Sequence, residues 1–176
     1  MRMTNTIGTV IVAIAALALT LISASAHAAS YVGDKFPNFT FKDGVTGKDY
    51  SLEDFRGKVV LVDFWLTTCG PCVAAMPDLA SLNQRFSERG LVVVGLTPES
   101  DSDVDLDRFM KAMPYIDWPT GYGAVVAFDQ MGIFATPTYV VYDRSGHSTW
   151  GGHSLAQAED AIVAALAKST QPAEVE

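Results

Sequence analysis

The sequence predicts one α/β domain, a central mixed β-sheet flanked by helices. Three observations predict it. Val59–Trp65 and Leu91–Leu96 are short apolar runs rich in valine, with Asp63 the one acid within them, as strands buried on both faces are. Between them, Met76, Leu79, Leu82 and Phe86 recur at helical spacing. Near the end, two strand-like runs around the turn Asp143-Arg144-Ser145-Gly146 precede an amphipathic stretch. Strands alternating with helices bury their apolar faces in layers. A chain of 176 residues suffices for one such domain.

The elements follow in order. Residues 1–28 read as a secretory signal peptide: Arg2 in a positive head, the uncharged run Ile7–Ile22, then small residues ending in Ala26-His27-Ala28. The sixteen-residue run falls short of the roughly 20 residues of a spanning helix; an uncleaved anchor is the alternative. No cysteine near the cut offers a lipid anchor. The domain is expected over residues 29–168, in the periplasm, with residues 169–176 a flexible tail. Phe36, Phe39 and Phe41 surround the turn formers Asp43-Gly44 and Gly47, a β-hairpin at the domain edge. Ser51–Phe55 reads as a helical turn stopped by Gly57. The strand Val59–Trp65 leads to Cys69-Gly70-Pro71-Cys72 and a helix to about Arg89, with Pro77 inside it and Gly90 ending it. The strand Leu91–Leu96 follows. A helix is expected over Ser102–Met113, with Asp103 and Asp105 in its first turn. Pro114–Gly123 is turn-rich and Val125–Met131 a short helix. Strands at Thr138–Tyr142 and His147–Trp150 and a helix at Leu155–Ala167, capped by Ser154, close the domain.

Composition excludes several functions. The net charge of −8 argues against a nucleic-acid partner. Hydrophobic residues at 49% argue against wholesale disorder. Two cysteines are too few for a disulfide-rich scaffold, an all-cysteine zinc site or a four-cysteine iron–sulfur site. An exported chain meets an oxidising compartment, so the retained pair calls for an explanation.

Cys69 and Cys72, three apart where a strand meets a helix, can close a small disulfide. Pro71 suits a first helical turn, where its missing N–H has no helical partner anyway. Cys69 would then face unpaired N–H groups and the positive end of the helix, which favour a thiolate. Cys72, one turn inside, is the shielded partner suited to resolve a mixed disulfide. Two other readings stand beside this one. An inert bridge would gain little from closing so short a loop. A metal site would borrow His147 and His153, whose spacing is wider than usual. Both histidines otherwise read as surface residues of the closing hairpin.

Val62-Asp63-Phe64-Trp65, then Cys69-Gly70-Pro71-Cys72 and Pro77, resembles the active-site segment of the thioredoxin superfamily. Phe36-Pro37-Asn38-Phe39, Ser51–Lys58 and Met76–Leu79 narrow the resemblance to its TlpA-like branch, exported thiol–disulfide oxidoreductases that include reductases of apocytochrome c. The resemblance implies a thioredoxin-like fold with an N-terminal hairpin and a central insertion at residues 102–123. It implies a redox-active Cys69–Cys72 disulfide with Gly70 and Pro71 at the substrate face. It implies a cis bond at Thr136–Pro137, with the Thr136 backbone offered to an extended substrate. The partners implied are protein thiols and disulfides, apocytochrome c among them, and a membrane thiol as electron donor. No cofactor or metal is implied, and a monomer is expected.

Two acids complete the candidate site. Asp63 lies inside an apolar strand, where burial raises a carboxyl pKa. By resemblance it matches the buried acid held to exchange a proton with the resolving thiol. Glu99, after the second strand, resembles an acid that exported relatives place near the disulfide; a solvated strand end is the other reading. One departure matters. Thioredoxin-like sequences usually carry Trp before the first cysteine, and here Thr67-Thr68 stands there, which bears on substrate range. Trp118–Gly123 could line a substrate groove or be a packed loop. Thiol peroxidases share this fold, but Val62 and Leu66 occupy the positions of their Pro and Thr. A disulfide oxidase or isomerase with the same residues, and a metal- or haem-handling chaperone using the cysteine pair, remain as alternatives.

Overall fold

The computed structural model describes residues 32–100 and 102–168. The expected signal peptide and tail lie outside them.

The hairpin forms from β1 (Thr40–Lys42) and β2 (Asp49–Ser51), and a 3₁₀ turn over Leu52–Phe55 follows. Five strands make the main sheet: β3 (Val59–Phe64), β4 (Leu91–Leu96), β5 (Thr120–Gly121), β6 (Thr138–Tyr142) and β7 (Ser148–Gly152). Their spatial order is β5-β4-β3-β6-β7. β3 runs parallel to β4 and antiparallel to β6, so the sheet is mixed. The helices are α1 (Gly70–Phe86), α2 (Leu106–Ala112), α3 (Val125–Met131) and α4 (Leu155–Ala167). This is the expected α/β class with its thioredoxin-like arrangement.

Alternation along the strands sorts the core onto two faces. Val60, Val62 and Phe64 of β3 pack with Phe36, Phe41, Leu52 and Ala127, under the hairpin and α3. Val59 and Leu61 pack with Leu79, Leu82 and Phe86 of α1 and Ile162 and Ala165 of α4. All six residues of β3 are buried, which explains the near-continuous apolar run. The hairpin is tied to the sheet through Asp43, itself buried, whose carboxylate accepts the Thr120 amide at 3.0 Å and the Thr46 amide at 3.1 Å.

Three boundaries differ from expectation. α2 begins at Leu106, not near Ser102, because the Asp103 carboxylate accepts the Ser100 amide and hydroxyl in a separate turn. Asp105 caps the helix instead, accepting the Arg108 amide at 2.9 Å. Within the turn-rich stretch, Thr120 and Gly121 pair with Gly95 and Leu96 as an edge strand. Trp118 is buried beside it, so that stretch is a packed loop. β7 runs on through Gly151 and Gly152, residues of low strand propensity held by pairing with Val140 and Tyr139.

Candidate active site

Strand β3 ends at Phe64, and five residues later Cys69 caps α1. Gly70 and Pro71 occupy the first turn and are exposed. Cys69 and Cys72 form a disulfide with their Cα atoms 5.2 Å apart. The Cys72 amide donates to Cys69 Sγ at 3.2 Å. An N–H of the first helical turn thus already faces the sulfur that would carry a thiolate's charge. The two sulfurs differ in access: Cys69 is half-buried, and Cys72 is buried. Cys72 packs with Trp65, Met76 and Leu106, and Cys69, Val104 and Phe109 border the same cluster. Phe109 of α2 stacks on Trp65 at 5.3 Å between ring centroids. The central insertion therefore roofs the cysteine pair.

Asp63 points to the α1 side of the sheet, since it alternates in step with Leu61 and Trp65, which pack against that helix. Leu61 meets the middle of α1 and Trp65 its start, at Cys72 and Met76, so Asp63 lies beneath the first turns of the helix. It is buried, and its Oδ1 has no hydrogen-bond partner among the described residues. Desolvation pushes its pKa up to about 7. Tyr139 stands directly opposite on β6. Its phenol is held above the ordinary range, first by burial and then by the charge on Asp63.

Glu99 does not end in solvent. Its carboxylate accepts the Thr67 amide at 2.7 Å, the Thr67 hydroxyl at 2.8 Å and the Thr97 hydroxyl at 3.1 Å. It ties the end of β4 to the loop that delivers Cys69.

The Thr136–Pro137 bond is cis, as the resemblance implied. Thr138 pairs with Phe64, so the proline loop sits at the end of the sheet where β3 passes toward Cys69. The topology thus brings Asp63, Glu99, the cysteine pair and the proline loop to one end of the molecule. Sequence reading missed three contributors. Thr67 was read only as half of the polar pair before Cys69 and not as a partner of Glu99, and Phe109 carried no recognisable motif. His153, read as a surface residue, is exposed but bonds to the carbonyl of Pro137 at 2.7 Å. His147, the other histidine weighed as a metal ligand, lies in the β6–β7 turn against Ser145.

A helix-capping cysteine pair over a buried acid, on a sheet with a cis-proline loop at the same end, defines a redox protein of the thioredoxin fold. The chain belongs to the Redoxin family, whose profile matches residues 31–150. It is 30% identical over 118 residues to the thiol-disulfide oxidoreductase ResA of Bacillus thuringiensis subsp. konkukian, covering 65% of each chain. The chain thus spans about two thirds of the length of that relative. A thiol:disulfide interchange protein of the thioredoxin family from Chlorobium tepidum superposes with a TM-score of 0.63 at 28% identity, covering 76% of this chain and 97% of that one. The exposed lipoprotein thioredoxin Etrx1 of Streptococcus pneumoniae gives 0.60 at 25% identity, covering 73% and 96%.

Proposed function

We propose that this protein is an exported thiol–disulfide oxidoreductase that works as a reductase through Cys69 and Cys72. The observation that carries the reading is the asymmetry of the pair: Cys69 half-open at the helix cap, Cys72 buried beneath it. In the reduced form the Cys69 thiolate attacks a substrate disulfide. A Cys69–substrate bond forms and one substrate sulfur leaves as thiolate. Cys72 loses its proton and attacks Cys69 Sγ, which releases the second substrate thiol and leaves the Cys69–Cys72 disulfide. Two electrons pass to the substrate.

Asp63 is the base for the Cys72 proton: its raised pKa matches proton exchange near neutral pH. Glu99 serves the same site as an anchor of the Thr67–Cys69 loop, since its oxygens are already taken by Thr67 and Thr97. Gly70, Pro71, Thr136 and Pro137 form the face that a substrate meets. The disulfide is reopened by a membrane thiol donor.

Periplasmic export is supported by the character of residues 1–28 and by the exposed-lipoprotein neighbour. Apocytochrome c as substrate rests on the TlpA-like motifs. Insulin reduction by the dithiothreitol-reduced protein tests the activity: wild type should precipitate insulin chains, and Cys69→Ser should not. Equal activity in both would overturn the reading. A Cys69/Cys72 potential near about −270 mV supports a reductase, and one near about −120 mV would make it an oxidant.

A further inference from the structure

Both ends of the proline loop are held by side chains, and its centre is open. The Thr138 hydroxyl donates to the Ala135 carbonyl at 2.7 Å. His153 Nδ1 lies 2.7 Å from the Pro137 carbonyl and 3.2 Å from Thr138 Oγ1. A carbonyl only accepts, so Nδ1 must carry the proton. Between these two ties, the Thr136 N–H and carbonyl have no hydrogen-bond partner among the described residues. His153 immediately follows β7 and precedes Ser154, the cap of α4. Its backbone is therefore set by two regular elements, which makes it a firm post.

We propose that His153 is a positioning residue for substrate. Resting on the oxidoreductase reading above, its Nδ1–H holds the Pro137 carbonyl so that the open Thr136 backbone is presented in one orientation. The ligand class is an extended polypeptide flanking a disulfide, which pairs with Thr136 by backbone hydrogen bonds. The ordering of the loop is then done before the substrate arrives, which lowers the cost of binding.

Two independent measurements test the proposal. Long-range ¹⁵N–¹H spectra of the oxidised protein should show His153 with Nδ1 protonated; at a pH where the ring is neutral, Nε2 should be bare. A neutral ring protonated on Nε2 would overturn the clamp. In turnover, His153→Ala should raise KM for a protein disulfide about 2- to 10-fold, the worth of one hydrogen bond, with kcat little changed. The rate toward a small aromatic disulfide, which has no backbone to pair, should stay within about twofold. His153→Asn, whose amide N–H can reach the same carbonyl, should restore KM. A wild-type KM in His153→Ala, or equal losses toward protein and small disulfides, would overturn the proposal. If the wild type reduced no protein disulfide, the oxidoreductase reading would fall, and the protonated nitrogen would still decide the clamp.

Discussion

Glu99 accepts both the amide and the hydroxyl of Thr67, at 2.7 and 2.8 Å, two residues ahead of the cysteine that caps α1. Hydrogen bonds to a charged acceptor are worth roughly 1.5–3 kcal/mol each, less where solvent reaches them. Glu99→Ala should lower the unfolding free energy by about 1–3 kcal/mol in urea titrations. The Thr67 amide should exchange with solvent faster in that variant. Thr67→Val removes only the hydroxyl bond and should cost less. Equal stability of Glu99→Ala and wild type would mean the anchor contributes nothing.

Asp63 makes stability depend on pH in a definite direction. Its folded pKa of about 7 lies above the ordinary 3.8. Between those values the folded state holds a proton that the unfolded chain has lost. Stability therefore falls as pH rises from about 4 to 7 and levels off above. Asp63→Asn should flatten that fall and exceed wild type at pH 8 by about 2–4 kcal/mol. Denaturation series on the oxidised proteins at several pH values check this. The same variant, once reduced, should resolve mixed disulfides more slowly.

Cys72→Ala should stop the reaction halfway. Cys69 still attacks, but nothing expels the captured substrate, so a covalent adduct that dithiothreitol dissolves should accumulate. Non-reducing gels and intact mass read it directly. Cys69→Ala should form far less adduct, because the remaining sulfur is buried.

The seam between hairpin and sheet has no room at Gly121. A Cβ there would stand 2.7 Å from Phe41 Cδ2 and 2.9 Å from both Phe41 Cβ and Leu96 Cδ2. Gly121→Ala should destabilise by about 1–3 kcal/mol, as overpacking does. The midpoint of thermal unfolding is the readout.

Phe134 is 98% exposed, three residues before Pro137. If the proline loop is the substrate face proposed above, an aromatic ring left in water three residues before Pro137 would give a docked chain the apolar contact that Thr68 does not give ahead of Cys69. Phe134→Ser should change stability by less than about 0.5 kcal/mol and raise KM for protein disulfides. An unchanged KM would assign the ring no part in binding.

Much of this was legible in single residues. The run Val59–Trp65 reads as a doubly buried strand because both its faces need apolar side chains, and Asp63 stands out in it for the same reason. Cys69-Gly70-Pro71-Cys72 announces a helix start, since proline is tolerated there and little else explains the pair. Thr120–Gly121 could not be read as a strand: two residues carry no periodicity, and only the exposed edge of β4 recruits them. Asp103 and Asp105 look equivalent as caps, and the choice fell to Ser100, which occupies one of them.

By itself, the sequence determined the layered α/β fold, the place of the cysteine pair at a helix start and the buried acid, because periodicity, turn residues and helix caps act over a few neighbouring positions. Only the tertiary structure decided that Glu99 anchors Thr67, that Phe109 roofs Trp65 and that His153 reaches the Pro137 carbonyl. Those contacts join residues 16 to 44 positions apart. Nothing local encodes such pairings; they exist because sheet order and helix packing carry distant side chains to the same end of the molecule.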